Sequence, residues 1–251
     1  MQIDIHQLSV KLGGQTVLHG VDLSIPSGSA VALVGQSGTG KTTLLRTMAG
    51  LIEPDGGQVL IDSQPPAFHY GSTHLAFLFQ KATLWQHLSL RANLELVYEL
   101  HGRVIDHAHI DAQLAMVGLS AAAALFPYQL SVGMAARAAI ARALCLPPRV
   151  LLMDEPFAAL DPVRRATLNT TIRATCRRLG ATSVLVTHDV VEALQYADLV
   201  IVLAPSHSVD VFDTRALPTI DDAGNLPAPV RALRDRILAN AMSAPAGLAQ
   251  V

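Results

Sequence analysis

The sequence predicts an α/β fold in which a parallel sheet lies beside a small antiparallel β layer and carries a helical insertion. Three observations point to it. An apolar run at 30–34 passes through a glycine-rich segment into a Pro- and Gly-free stretch at 42–49, the pattern of strand, loop and helix. Past residue 146, strand-like runs at 150–153, 183–186 and 199–202 alternate with helical stretches at 162–179 and 190–196, the rhythm of βαβ units. Ahead of residue 62, short alternating strands are separated by turn signals, which suits an antiparallel layer.

Taken in order, Ile3, Ile5, Leu8 and Val10 mark a first strand. Val17, Leu18, Val21, Leu23 and Ile25 mark a second, closed by the turn Pro26-Ser27-Gly28. The helix after the glycine loop ends at Gly50, and Pro54-Asp55-Gly56-Gly57 then turns the chain into a strand at 58–61. A buried strand at 75–79 ends at Gln80. From 85 to 146 the texture is helical, rich in Ala and Leu, before the strands return. The tail from Pro205 is weakly patterned, with one helix expected over 227–240. These readings divide a single domain, 1–251, into a core (1–84 and 147–204), a helical subdomain (85–146) and a C-terminal extension (205–251).

Composition narrows the classes of partner. At 251 residues the chain can bury a full core. The net charge of −2 and a pI near 6.5 leave no basic field for nucleic acid. Charged residues are 15% of the chain, against about 25% in a typical soluble domain, and that lean suits a large partner interface. Cys145 and Cys176 are too few for a disulfide framework; both fall in apolar helical stretches and read as buried free thiols. The start, Met1-Gln2-Ile3-Asp4-Ile5-His6, has no basic region, and no stretch offers about 20 uninterrupted apolar residues. A soluble, cytoplasmic protein is expected.

The chemistry concentrates in Gly35-Gln36-Ser37-Gly38-Thr39-Gly40-Lys41-Thr42-Thr43, which fits the phosphate-binding pattern Gly-x-x-x-x-Gly-Lys-Ser/Thr. Strand, glycine loop and helix turn consecutive backbone N–H groups toward one anion at a helix N-terminus. Lys41 is expected to reach the β- and γ-phosphates of a nucleotide, and the Thr42 hydroxyl to ligate Mg²⁺. The run at 150–153 ends in Asp154 and Glu155. A carboxylate at a strand tip beside such a loop is placed to hold Mg²⁺, which assigns Asp154; Glu155 is then free to polarise a water for attack on the γ-phosphate.

With these motifs in place, residues 3–204 resemble the ATP-binding subunit of ABC transporters. The most specific element is Leu130-Ser131-Val132-Gly133-Met134, similar to the family's Leu-Ser-Gly-Gly-Gln, with Ser131 lying 23 residues before Asp154. The resemblance implies the ABC-type P-loop NTPase fold. It also implies that Ser131 and Gly133 face the γ-phosphate held by a second nucleotide-binding subunit, expected to be an identical chain, so that two chains sandwich two ATP. Gln80 resembles the glutamine that touches Mg²⁺ or the attacking water. Ala158-Ala159-Leu160-Asp161 resembles the loop that crosses the dimer interface, bringing Asp161 to the nucleotide. His188, in Thr187-His188-Asp189, resembles the switch histidine that hydrogen-bonds the γ-phosphate. ATP hydrolysis driving transmembrane permease subunits, from the inner face of the cell membrane, is the activity so implied.

Two departures from the family pattern stand out. The family usually has an aromatic near Gly13 that stacks on adenine, whereas the first aromatic here is Phe68. Val132 and Met134 replace the Gly and Gln of the signature, so a slow site is expected. Met134-Ala135-Ala136-Arg137 is similar to a variant found in phospholipid-trafficking (Mla-type) ATPases, which implies a hydrophobic cargo. Leu84-Trp85 is expected at the groove where the permease docks. Rival readings fare less well. A soluble ABC ATPase acting on DNA or ribosomes calls for a coiled-coil insertion or a basic surface. A GTPase calls for Asn-Lys-x-Asp. A weakly hydrolytic regulatory partner is opposed by intact Lys41, Asp154, Glu155 and His188.

Overall fold

The computed structural model describes residues 1–218 and 226–242. Three short strands form the antiparallel layer: β1 (Ile3–Leu12), β2 (Gln15–Ile25) and β4 (Gly56–Ile61), in the order β2-β1-β4. The apolar residues of β1 fall at 3, 5, 8 and 10, so the two-residue alternation slips once. The slip is a bulge, with register shifts between Ile5 and Leu8 and Gln7 at φ 47°, and it keeps all four side chains on the buried face.

The main sheet has the order β5-β6-β7-β3-β8-β9. Its members are β5 (Leu75–Leu78), β6 (Val150–Asp154), β7 (Thr182–Val186), β3 (Ala30–Val34), β8 (Leu199–Leu203) and β9 (Val209–Asp213). The first five run parallel, and β9 joins β8 antiparallel. β3, β6 and β7 are buried along their whole length, which is why they read as unbroken apolar runs. Their side chains alternate between two cores. Val31, Leu33, Leu152 and Val186 pack with the antiparallel layer and α1 (Lys41–Met48), while Ala32, Val34, Met153 and Leu185 pack toward the remaining helices.

Those helices are α2 (Leu90–Leu100), α3 (His107–Met116), α4 (Val132–Ala143), α5 (Pro162–Leu179), α6 (Val190–Tyr196) and α7 (Ala228–Met242). Each of α2 to α6 begins at a Ser or Asp whose side chain accepts from a first-turn N–H. On α5, Leu168, Ile172 and Cys176 recur every four residues and face the core.

Three expectations change. The sheet runs past residue 204: β9 lay hidden in the weakly patterned tail, because an edge strand with one half-covered face carries little apolar signal. Beyond it α7 packs Val230, Leu233 and Ile237 into the core; the tail segments 219–225 and 243–251 lie outside the described residues. Cys145 sits in a turn after α4 rather than in a helix, although both thiols are buried and free. Burial pushes them up, Cys145 to about 12 and Cys176 to about 11. Finally, Leu84 is a core residue, and half-buried Trp85 lies under the Arg142 guanidinium, 4.9 Å from the ring centre. Buried Asn93 locks this loop, accepting from the Trp85 N–H (2.8 Å) and donating to the carbonyls of Trp85, Leu88 and Ser89.

Candidate functional site

Parallel strands end at one edge of their sheet, and the register here aligns four of those ends. Leu33 pairs with Val186, Asp154 with Val186, and Leu78 with Met153. The segments that follow β3, β6, β7 and β5 therefore emerge side by side, carrying Gly35 to Thr43, Asp154–Glu155, Thr187–His188 and Gln80. Ligands of open α/β sheets bind outside this carboxyl edge.

The glycine loop leaves β3 under tight constraints. A Cβ at Gly35 would lie against the Leu203 carbonyl, closer than real side chains come. A Cβ at Gly40, where φ is 97°, would lie 2.8 Å from Leu18 of β2. Both positions need glycine. Gly40 is the N-cap of α1 and supplies no side-chain cap, unlike the Ser and Asp caps of α2 to α6. The N-terminus of α1 is thus left to an anion. Thr39, buried, braces the loop from within by donating to the Gln36 carbonyl (2.9 Å).

Lys41 is 7% exposed, and its Nζ donates to the carbonyls of Gly35 (2.9 Å) and Gln36 (2.6 Å). Burial holds its pKa below the usual lysine value, against the pull of Glu155 and Asp154. The Thr42 hydroxyl donates to Asp154 Oδ1 (2.9 Å), tying α1 to the tip of β6, while Arg46 stands 3.9 Å from Asp154 Oδ2. Burial pushes the Asp154 carboxyl up, opposed by Thr42 and Arg46. Thr42 and Asp154 thus present oxygen donors side by side in a nearly dry place, the donor set that suits a small hard cation.

Glu155 follows in the left-handed region (φ 45°), rare for a residue with a side chain, and its N–H donates to the Val186 carbonyl (3.1 Å). Its carboxylate has a polar neighbour on either side. Gln80 Nε2 donates to Oε2 (3.2 Å), and His188 Nδ1 lies 3.7 Å from Oε1. Lys41, Thr42, Gln80, Asp154, Glu155 and His188 are therefore one cluster. Gln80 contacts the carboxylate of Glu155; a contact with Thr42 or Asp154 is not among its hydrogen bonds.

The other expected residues have different neighbours. Ser131 caps α4 by accepting from the Met134 N–H (3.2 Å), and Val132 is 75% exposed. A Cβ on Gly133 would meet the Ala159 carbonyl at 3.4 Å and Leu160 at 3.5 Å, ordinary contacts. Asp161 caps α5, accepting from the Arg164 N–H (3.0 Å). Sequence reading overlooked Arg46, one turn after Thr42 and so on the same face of α1; that spacing is the signal that could have found it. It also overlooked Arg165 and Glu192, which only packing brings together.

Residues 18–158 match the family described as ABC transporter. A sulfate/thiosulfate import ATP-binding protein, CysA, of Synechocystis sp. is 40% identical, over 81% of this chain and 58% of that protein. Its namesake in Thermosynechococcus vestitus is 37% identical over 94% of this chain and 72% of its own length. The chain thus spans less than two thirds of the length of several such relatives. Among solved structures, a dimeric ATP-binding cassette in a post-hydrolysis state with ADP and Pi superposes with a TM-score of 0.78, at 27% identity, over 86% of this chain and 100% of that one. An ATP-binding subunit of an ABC transporter gives the same TM-score over 97% of this chain and 100% of that one, at 26% identity.

Proposed function

This chain belongs to the ABC transporter ATP-binding family, and from that premise we propose that it binds and hydrolyses Mg²⁺-ATP in a dimer that drives a membrane transporter. One observation carries the reading: the carboxyl edge of the sheet joins a phosphate cradle, an oxygen pair fit for a cation and a carboxylate bonded by Gln80 and flanked by His188. The open N-terminus of α1 and Lys41 bind the phosphates. Thr42 and Asp154 would hold Mg²⁺, which when bound neutralises phosphate charge and favours in-line attack. Glu155 takes the proton of the attacking water; Gln80 keeps its carboxylate turned inward, and His188, on its other side, meets the γ-phosphate. Ser131 and Gly133 complete the site of a second copy of this chain. The ordinary space around Gly133 supports that, since the fold itself does not require a glycine there.

Among the described residues no helix is long and apolar enough to cross a membrane. The names of the relatives, ATP-binding proteins of importers, support pairing with transmembrane permease subunits at the inner face of the membrane. A cavity of about 170 Å³ lined by Leu75, Phe77, Val97, His101 and Arg142, close to Trp85, is the docking place we favour. For cargo, the names of the relatives favour a tetrahedral oxyanion such as sulfate; the phospholipid cargo expected from residues 134–137 gains no support from them.

Glu155→Gln tests the core of the proposal. The variant keeps size and hydrogen bonding but cannot accept a proton, so it should collect as an ATP-bound dimer on size-exclusion chromatography. An ATP-bound variant that stays monomeric would remove the dimer from the mechanism. For cargo, ATPase of the reconstituted transporter should rise with a sulfate-loaded binding protein and stay flat with lipid.

A further inference from the structure

We propose that Arg165 is the positioning residue for His188, tying the turn that follows Glu155 to the start of α6. The proposal rests on the reading of Glu155 and His188 as the groups around the γ-phosphate. His188 needs such support. Its side chain is 65% exposed, and its Nδ1 lies 3.7 Å from Glu155, beyond hydrogen-bond length. Its place is therefore set by the backbone on either side, where Thr187 and Asp189 are fixed. The Thr187 hydroxyl accepts from the Asp189 N–H (3.0 Å), and the Asp189 carboxylate caps α6 through the N–H groups of Val191 (2.8 Å) and Glu192 (3.2 Å).

Arg165 holds that corner from α5. Its Nη2 donates to the Leu160 carbonyl (3.2 Å), the last turn before Asp161. The same guanidinium faces both carboxylates of the switch segment, with Nη1 3.9 Å from Asp189 Oδ2 and Nε 3.9 Å from Glu192 Oε1. Arg165 Nε and Glu192 Oε1 are both buried and have no hydrogen-bond partner, although they face each other. Burial pushes the Glu192 carboxyl up, with a hydrogen bond to Thr187 and then the charge of Arg165 pulling the other way. A buried donor and acceptor just out of reach are costly to leave apart, and a shift under about 1 Å would join them. The turn at Ala159–Leu160 also lies beside Gly133, where an added Cβ would meet it. One side chain thus connects the neighbour of the α4 start, the turn after Glu155 and the segment bearing His188.

A structural role in holding α5 to α6 predicts a different pattern of effects, so the test reads turnover against affinity. Arg165→Met keeps the apolar stem and removes charge and donors. We expect kcat to fall about ten- to a hundredfold, the scale of a small misplacement in a site, with KM for ATP within about twofold and the thermal midpoint unchanged. Arg165→Lys should recover part of the loss. Arg165→Met combined with Glu192→Met should cost no more than the larger single change, as for two members of one unit. Hydrogen exchange at the amides of residues 187–193 should quicken in Arg165→Met whatever the basal activity. A kcat near wild type, unchanged exchange, or kcat and thermal midpoint falling together would each overturn the proposal. Glu155→Gln, assayed in parallel, separates the two claims. Turnover surviving in Glu155→Gln but not in Arg165→Met removes the base and leaves the positioning; the reverse pattern removes Arg165.

Discussion

The glycine loop and the start of α4 are both helix N-termini, yet the chain treats them in opposite ways. At the loop, partners within the chain are in place: Lys41 on two carbonyls, Thr42 on Asp154, Gln80 on Glu155. At α4 the chain does little beyond making a helix. Ser131 caps it, Val132 stands in solvent, and Gly133 has room for a side chain. The loop is preorganised by its own fold; in the proposed function the α4 start instead serves the nucleotide of a second copy. On that reading each half should fail in its own manner.

The largest effects belong to the preorganised half. General-base assistance contributes about 10²–10⁴-fold, so Glu155→Gln should lose that much turnover while ATP affinity survives. Lys41→Ala should lose the nucleotide itself, since it removes the buried cation at the phosphates. Equilibrium binding of ATP separates the two variants. Tight binding by Lys41→Ala would show that the backbone cradle alone suffices.

At the other half, stability and activity should move apart. Gly133 lies in the first turn of α4 with ordinary space at its Cβ, so Gly133→Ala should leave the fold intact or firmer, by up to about 1 kcal/mol from helix propensity. Turnover should nevertheless drop about tenfold or more, through a methyl group wedged between α4 and the partner's nucleotide. Calorimetry beside an ATPase assay checks this. A variant that is both less stable and less active would make Gly133 a packing residue after all.

A gentler contrast concerns the base. Val17 of β2 stands where a Cβ on Gly40 would have to go, which puts the β1–β2 hairpin alongside the loop, and neither strand carries a Phe, Tyr or Trp. Base stacking is worth about 1–3 kcal/mol where aromatics provide it, so without it ATP should be preferred over GTP by less than about a hundredfold. Competitive binding of the two nucleotides would reveal a stronger preference and, with it, a reader elsewhere in the site.

What the sequence made legible follows the same division. β3, β6 and β7 are buried on both faces, so their apolar runs announce strands, and the residues at their ends announce the site. β9 gave little signal because it is a half-covered edge, paired among the described strands with β8 alone. Leu84-Trp85 looked like a partner surface, because nothing local reveals that Asn93 and Arg142 would fold back on it. Arg165 and Glu192 are ordinary helix residues until α5 and α6 pack. Helix capping, by contrast, is local: Ser131 and Asp161 each accept from an N–H three residues on in their own segment.

The smallest effect is the most telling about the split site. Val132 occupies the first position of α4, at 75% exposure, so it buries little and its removal costs little. Val132→Gly trades one weak helix former for another, a change of a few tenths of a kcal/mol in a helix interior and less at its first position. What it gains is a clear path for the backbone N–H groups of α4 toward the partner's nucleotide, since a β-branched side chain no longer stands beside them. Turnover should rise a few-fold, about 1 kcal/mol off the barrier, with ATP affinity of the monomer unmoved. Val132→Ala should fall between. The order Gly above Ala above Val would mark Val132 as a brake on closure. If Val132→Gly is slower than the parent, the valine makes a contact across the dimer that the reaction needs, and the α4 start is not merely open but already fitted to its partner.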